Sequence, residues 1–315
     1  MSDLLLICPV TSVMMSRMEA AFTVHRWADL DTDWLAANGD RITHVMTDGH
    51  LGLKPAVMDT LPNLKMVSCY GVGYDAIDAD AAAARGIMVT HTPDVLNQEV
   101  ATTAILLLLG CYREVLRDDA YLRSGTWEKQ GNAPLTRSVD NQTIGILGLG
   151  RIGQTIATKL APWSPTILYH ARSAKDVPYR YYDDLTAMAA ACDALICITP
   201  GGAATEKLVN AQVIDALGPQ GTLINVGRGS VVDETALIAA LQSGRLGWAG
   251  LDVFEDEPRV PQALRDLPNT LLLPHVGSGT HETRAAMGGL AIDNLLQHQE
   301  TGNVKTPVPE CAGLA

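Results

Sequence analysis

Three apolar, strand-like segments of this chain run into residues able to bind an anion or move a proton. Thr222-Leu-Ile-Asn-Val-Gly227 leads to Arg228, Gly250-Leu251 leads to Asp252 and then Glu257, and Leu271-Leu-Leu-Pro274 leads to His275. A guanidinium is a planar fork that grips a carboxylate and withdraws charge from a neighbouring carbonyl. An imidazole titrates near neutral pH and can give or take a proton, and a carboxylate beside it favours the charged form and fixes the ring. Arg228, Glu257 and His275 are therefore residue types that could bind an anion and move a proton. In a doubly wound parallel sheet all strand carboxyl ends lie along one edge, so the topology should bring Arg228, Asp252, Glu257 and His275 together.

A second constellation lies upstream. Thr143-Ile-Gly-Ile-Leu-Gly148-Leu-Gly150-Arg151-Ile152-Gly153 reads as strand, tight turn and helix start. Gly148 permits the turn, Gly150 lets a pyrophosphate reach the backbone, and Gly153 lets helix and strand pack closely. The N–H groups and positive end of the helix then face the phosphates. The pattern predicts a dinucleotide site. The next strand ends Ile167-Leu-Tyr-His170-Ala-Arg172-Ser173, with Lys175 close behind. His170 stands where an acid would hold the ribose hydroxyls of NAD. A guanidinium and a hydroxyl suit a 2′-phosphate instead, so NADP(H) is the preferred cofactor and NAD(H) the alternative. Nearer the N-terminus, Gly71-Val72-Gly73 follows an apolar run, and its backbone N–H groups can form a nest for a carboxylate. His50, after Asp48-Gly49, reads as a solvated loop residue.

The elements that must carry these groups alternate. Strands are expected at Leu4–Cys8, Thr23–Trp27, Thr43–Thr47, Lys65–Ser68 and Ile87–Thr90, then at Thr143–Leu147, Thr166–Tyr169, Ala194–Ile198, Thr222–Val226, Gly250–Val253 and Thr270–Leu273. Helices are expected between them, including Ala79–Ala84, Arg151–Leu160, Asp183–Ala190, Ala211–Leu217 and Glu234–Gln242. A long apolar helix from Glu99 to about Leu116 joins the two series, and another spans about His281–Gln299. Gly302–Ala315 reads as an arm without period. The fold class is α/β with two parallel sheets.

Composition narrows the function classes. The 315 residues are enough for two domains, and 47% hydrophobic with 18% charged residues is a globular composition. Lys plus Arg total 23 against 35 Asp plus Glu, a net charge of −12, which argues against nucleic acid and anionic membranes as partners. No apolar run reaches membrane-spanning length, and Met1-Ser-Asp3 lacks a basic leader. The six cysteines are scattered with no zinc spacing, so no metal site is expected, and the reading is buried thiols in a cytoplasmic protein.

Taken in order, Tyr70-Gly-Val-Gly-Tyr-Asp75, Gly148-Leu-Gly-Arg-Ile-Gly153, Asn225-Val-Gly-Arg-Gly-Ser-Val-Val-Asp233, Gly250-Leu-Asp-Val-Phe-Glu-Asp-Glu-Pro258 and Leu273-Pro-His-Val-Gly-Ser278 closely resemble the NAD(P)-dependent D-2-hydroxyacid dehydrogenases. The resemblance spans nearly the whole chain and is strongest to glyoxylate/hydroxypyruvate reductases. It implies two Rossmann-like or flavodoxin-like domains, with a cofactor domain (98–285) inserted into a discontinuous substrate domain (1–97 and 286–315). It also implies hydride transfer from the cofactor to a 2-oxo acid, with His275 as general acid/base paired to Glu257. Arg228, His275, Val72 and Gly73 would bind substrate. Thr199, Pro200, Thr205, Val226, Gly227, Asp252 and Gly277 would join Gly148, Gly150, Arg151, Ile152, Gly153, Arg172 and Ser173 around the cofactor, Asp252 against the nicotinamide carboxamide. A homodimer through the long apolar helix is a further implication. Thr102-Thr103 departs from the acid many relatives carry there, which leaves its local contacts open. Glu257 argues against formate, since formate-oxidising relatives have an amide at that place. Alternatives are a bulkier substrate, such as phenylpyruvate or 2-ketogluconate, or a dinucleotide-sensing protein without turnover.

Overall fold

The computed structural model describes residues 1–314 and falls into two compact units, Met1–Leu96 with Thr280–Ala315, and Asn97–Gly279. The changeovers expected after residues 97 and 285 thus lie after Leu96 and Gly279, and the helix His281–Thr301 belongs wholly to the first unit. No helix among the described residues is long and apolar enough to cross a membrane.

The first unit is built on five parallel strands, β1 (Ser2–Leu6), β2 (Phe22–Arg26), β3 (Ile42–Thr47), β4 (Met66–Cys69) and β5 (Met88–Thr90), in the order β2-β1-β3-β4-β5. All four residues of β4 are buried, as a central strand covered on both faces requires. Short helices between the strands start at side-chain caps: Thr11 accepts from Met14 N–H, and Asp78 accepts from Ala81 N–H. Helix His281–Thr301 packs on β4, with the Ser68 hydroxyl donating to the Ala291 carbonyl at 2.9 Å. Beyond it the chain bridges back antiparallel from Pro307 to Thr90. Fully buried Asn294 anchors that return, accepting from the N–H groups of Lys305 and Thr306 at 2.8 and 3.0 Å.

The second unit holds seven parallel strands, β6 (Thr143–Leu147), β7 (Thr166–His170), β8 (Arg180–Tyr181), β9 (Ala194–Cys197), β10 (Thr222–Asn225), β11 (Trp248–Leu251) and β12 (Thr270–Leu272). Their order is β12-β11-β10-β9-β6-β7-β8, which reverses direction of growth between β6 and β9. Ligands bind outside the carboxyl ends of strands at such a switch point. The short edge strand β8 carries too few residues to show a period and was not expected. The long apolar helix also differs: it spans Asn97–Tyr112, and Glu114, at φ +44°, turns the chain before a separate helix Val115–Arg123. Arg117 pairs with Glu114 at 2.5 Å and with Asp118 at 2.8 Å around that corner. All six cysteines are buried free thiols.

Between β3 and helix His281–Thr301, buried His44 meets half-buried His298. The Thr43 hydroxyl donates to the Asp3 carbonyl and so accepts from Nδ1–H of His44, leaving His44 Nε2 to accept from Nδ1 of His298 at 3.1 Å. His44 is neutral in this arrangement, and a proton on its Nε2 would set two N–H groups against each other. Burial, with His298 and Lys65 nearby, lowers the His44 pKa from 6.5 to about 4, and burial lowers that of His298. Because the folded value lies below the unfolded one, the stabilisation is complete above pH 6.5 and is lost as pH falls toward 4. Urea unfolding should show stability dropping by about 2 kcal/mol between pH 6.5 and 5 from this residue. His44→Gln should remove most of that slope; an unchanged slope would show that the pair is not its source.

Candidate active site

The carboxyl ends of β6, β7 and β9 through β12 gather most of the expected site residues on one edge of the second unit. After β6, Gly148 takes φ +101°, and helix Arg151–Leu160 begins at Gly150 without any side-chain cap. A Cβ at Gly153 would run into the Gly148 carbonyl, whereas one at Gly150 would meet open space. The first-turn N–H groups thus have no side-chain cap, and the backbone at Gly150 is open to close approach, as a bound pyrophosphate requires. The Thr199 hydroxyl, after β9, is buried without a partner beside Gly148, a second sign that a polar ligand completes this crevice. These residues fit a dinucleotide. Ile152 is half-buried and Arg151 exposed at the helix start; Pro200, Val226, Gly227 and Gly277 lie at neighbouring strand ends. Thr205 is turned inward on its own loop, its hydroxyl donating to the carbonyls of Pro200 and Gly202.

Beyond β7, Arg172, Ser173 and Lys175 are exposed. His170 donates from Nδ1 to the Tyr182 carbonyl at 2.9 Å, which fixes its ring at the strand end. The Tyr169 hydroxyl accepts from the Lys175 N–H at 2.8 Å, which ties this basic loop down at its far end.

Arg228 leaves the sheet from β10. Buried Asn225 sets the turn, its amide donating to the Arg228 carbonyl at 2.9 Å and its oxygen accepting from Gly227 N–H at 3.1 Å. Gly229 packs so closely on the Phe254 carbonyl that no Cβ fits between them. That contact pulls the β10 turn onto the segment leading to Glu257. Glu257 is held at Oε1 by Phe254 N–H at 3.1 Å, and its Oε2 lies 2.6 Å from Nδ1 of His275. The carboxylate side chain is 16% exposed and the imidazole 42%, so the pair is supported from within and open at the ring. With Nδ1 committed to the carboxylate, Nε2 is the nitrogen left for exchange with solvent or substrate.

Asp252 does something the sequence did not show. It was expected against the nicotinamide carboxamide. It is 1% exposed, and its two oxygens accept from Val276 and Gly277 N–H, each at 2.7 Å, while its carbonyl accepts from His275 N–H at 2.8 Å. The geometry therefore makes it the anchor of the turn that carries His275, which itself sits at φ +53°. Burial raises the Asp252 pKa, and the two N–H groups and His275 pull it back down. The Thr102-Thr103 departure is also accounted for: the Thr103 hydroxyl is buried and donates to the Gly277 carbonyl at 3.3 Å, while Thr102 accepts from Lys159. Asn225 and Thr103 were not singled out as site residues, although a polar side chain at the end of an apolar strand or inside an apolar helix is the signal that marks them.

Val72 and Gly73 lie in the first unit, in the loop after β4, both half-buried. His50 is exposed on another loop of that unit, where Asp48 accepts from the N–H groups of His50 and Leu51.

Comparison with known proteins finds relatives along nearly the whole chain. Residues 105–277 match the family described as D-isomer specific 2-hydroxyacid dehydrogenase, NAD binding domain, a span inside the second unit. A glyoxylate/hydroxypyruvate reductase of Arabidopsis thaliana is 44% identical over 307 residues, covering 96% of this chain and 98% of the relative. A hydroxyphenylpyruvate reductase of Plectranthus scutellarioides is 41% identical over 307 residues, with 96% and 98% covered. The solved structure of an NADPH-dependent glyoxylate/hydroxypyruvate reductase from Sinorhizobium meliloti, in complex with NADP and malonate, superposes with a TM-score of 0.91 at 44% identity, covering 99% of this chain and 98% of that one.

The anchor makes a prediction independent of any assay. Asp252→Ala leaves the Val276 and Gly277 N–H groups without their acceptor, which should cost about 1–3 kcal/mol of stability. Hydrogen exchange at those two amides should accelerate well beyond the rest of the sheet edge; protection equal to that of the unaltered chain would refute the anchoring role.

Proposed function

The chain belongs to the D-isomer specific 2-hydroxyacid dehydrogenase family, and on that premise we propose that it reduces a small 2-oxo acid, glyoxylate or hydroxypyruvate, to the D-2-hydroxy acid with NADPH. The observation that carries this reading is the Glu257–His275 pair, 2.6 Å between Oε2 and Nδ1, on the same sheet edge as Arg228 and the glycine turn. The unit Asn97–Gly279 is the cofactor domain on this reading, and the other is the substrate domain.

The dinucleotide, when bound, supplies the hydride. The chain supplies everything else. Arg228 holds the substrate carboxylate and polarises the adjacent carbonyl, and the N–H groups of Val72 and Gly73 offer further donors to the carboxylate. His275, held at Nδ1 by Glu257, delivers the Nε2 proton to the carbonyl oxygen in reduction and removes it in oxidation. The carboxylate of Glu257 offsets the charge of the imidazolium that donates. Asp252 and Thr103 keep the His275–Gly277 turn in place.

Exposed Arg172, Ser173 and Lys175 support NADPH over NADH, since the β7 strand end carries His170 in place of an acid for the ribose hydroxyls and the guanidinium and hydroxyl that follow favour a 2′-phosphate. The Sinorhizobium meliloti relative, with NADP bound, supports the same preference. Exposed Leu106, Val115, Leu116, Leu122, Trp127 and Leu135 give the second unit an apolar surface along the Asn97–Tyr112 helix and the segment after it, which supports a homodimer. Buried free thiols support a reducing, cytoplasmic setting.

Initial rates with glyoxylate and hydroxypyruvate should be much higher with NADPH than with NADH. Arg172→Ala should raise KM for NADPH about tenfold or more and leave KM for NADH nearly unchanged; equal effects on both would remove Arg172 from the 2′-phosphate site. His275→Ala should lower kcat about 10²- to 10⁴-fold with the fold intact by circular dichroism. Turnover only with phenylpyruvate or 2-ketogluconate would keep the reaction and change the substrate. No turnover with any 2-oxo acid, alongside tight NADPH binding, would favour a sensing role.

A further inference from the structure

The loop Gly71-Val72-Gly73 has no large side chains at its two glycines to hold its peptide planes, yet each of its carbonyls is engaged within the first unit. Gly71 O accepts from Thr92 N–H at 2.8 Å, Val72 O lies 2.9 Å from Nδ1 of His91, and Gly73 O accepts from the Cys69 thiol at 3.5 Å. A carbonyl can only accept, so Nδ1 of His91 carries the proton in this contact. In a trans peptide, the carbonyl of one residue and the N–H of the next point to opposite sides. A hold on the Val72 carbonyl is therefore a hold on the direction of the Gly73 N–H.

His91 is itself fixed from the C-terminal side. Its N–H donates to the Thr306 carbonyl at 3.2 Å, and the Thr306 hydroxyl donates back to the His91 carbonyl at 2.6 Å. Thr306 in turn is gripped by buried Asn294, whose amide nitrogen donates to the Thr306 hydroxyl at 2.8 Å. The Tyr74 ring stands edge-on to the imidazole with centroids 5.3 Å apart, and its hydroxyl donates to Glu310 at 3.1 Å. The backbone of His91 is thus held by the C-terminal segment, and its ring packs against Tyr74, the residue that follows the loop.

We propose that His91 is a positioning residue for the substrate carboxylate: its Nδ1–H fixes the Val72–Gly73 peptide so that the Gly73 N–H is aimed at the carboxylate before substrate arrives. This rests on the reading that Val72 and Gly73 receive that carboxylate. The role is preorganisation: a glycine-flanked peptide free to rotate would have to be ordered at each binding event, and that cost would appear in the affinity for the acid and not for the dinucleotide.

The test compares His91→Leu with His91→Asn in the full-length enzyme. The leucine variant keeps bulk and loses the donor; the asparagine amide nitrogen reaches about the position of Nδ1 and keeps it. His91→Leu should raise KM for glyoxylate about tenfold, with KM for NADPH and the melting temperature close to those of the unaltered enzyme. His91→Asn should bring KM back to within about threefold of the unaltered enzyme, on the same hydrogen-bond argument. An unchanged KM in His91→Leu, equal impairment in both variants, or a matching rise in KM for NADPH would overturn the proposal. If the unaltered enzyme reduces 2-oxo acids but Gly73→Pro, which removes the N–H itself, leaves KM for the acid unchanged, the reading of the nest falls and takes the proposal with it. A large effect of Gly73→Pro with none from His91→Leu removes His91 alone.

Discussion

A buried carboxylate holds the proposed chemistry in place. Asp252 spends both oxygens on the backbone N–H groups that follow His275, and its own carbonyl on the N–H of His275. Ionising a carboxylate in so buried a position is unfavourable, and burial does push its pKa up. The two charge-assisted N–H bonds recover part of that cost and, in doing so, specify one path for the turn. His275 occupies the left-handed backbone region within that path, a conformation a non-glycine residue keeps only when its surroundings impose it. Without the anchor, the imidazole would have no reason to meet Glu257.

The same edge of the sheet shows how close packing aligns groups from separate strands. Asn225 closes the β10 turn from inside, and Gly229 lets that turn press on the Phe254 carbonyl. Phe254 N–H then holds Glu257. The Arg228 turn and Glu257 are therefore linked through backbone contacts, and Glu257 meets His275 through its side chain. Each of the three side chains emerges from a strand end whose register is set by a parallel ladder, β9 to β10 to β11 to β12. Sites carried on such rigid elements hold geometry better than sites on free loops.

Charge is distributed with equal economy. The chain carries a net −12, which disfavours anions over most of its surface. Against that background, the exposed Arg172, Ser173 and Lys175 loop and the uncapped helix start after Gly150 mark one edge of one sheet as a place for phosphates. The loop is not left to chance, since the Tyr169 hydroxyl, on the strand before it, binds the Lys175 backbone. In the other unit, the loop at Val72 is handled the same way, with its carbonyls tied inward by Thr92, His91 and Cys69.

Much of this was legible in the residue string because it depends on local periodicity and on residue types that have few other uses. Helices Ala79–Ala84, Arg151–Leu160 and Ala211–Leu217 and strand Thr143–Leu147 have the bounds their patterns predict, and the glycine turn announces its helix. Arg228, Glu257 and His275 were nameable because parallel strands must send their carboxyl ends to one edge. Other features were hidden for a physical reason: they arise from contacts between residues far apart in sequence, and composition and spacing say nothing of such partners. The hold of Asp252 on Val276 and Gly277, that of Thr103 on Gly277, and the place of His91 between Thr306 and Val72 are contacts of this kind. The break at Glu114 and the two-residue strand β8 are too short to leave a periodic trace. The sequence by itself determined the alternation of strands and helices, the dinucleotide turn and the three reactive residue types. Only the tertiary structure decided which polar groups touch the chemistry and which hold it still, because hydrogen-bond partners are chosen by where the chain folds back.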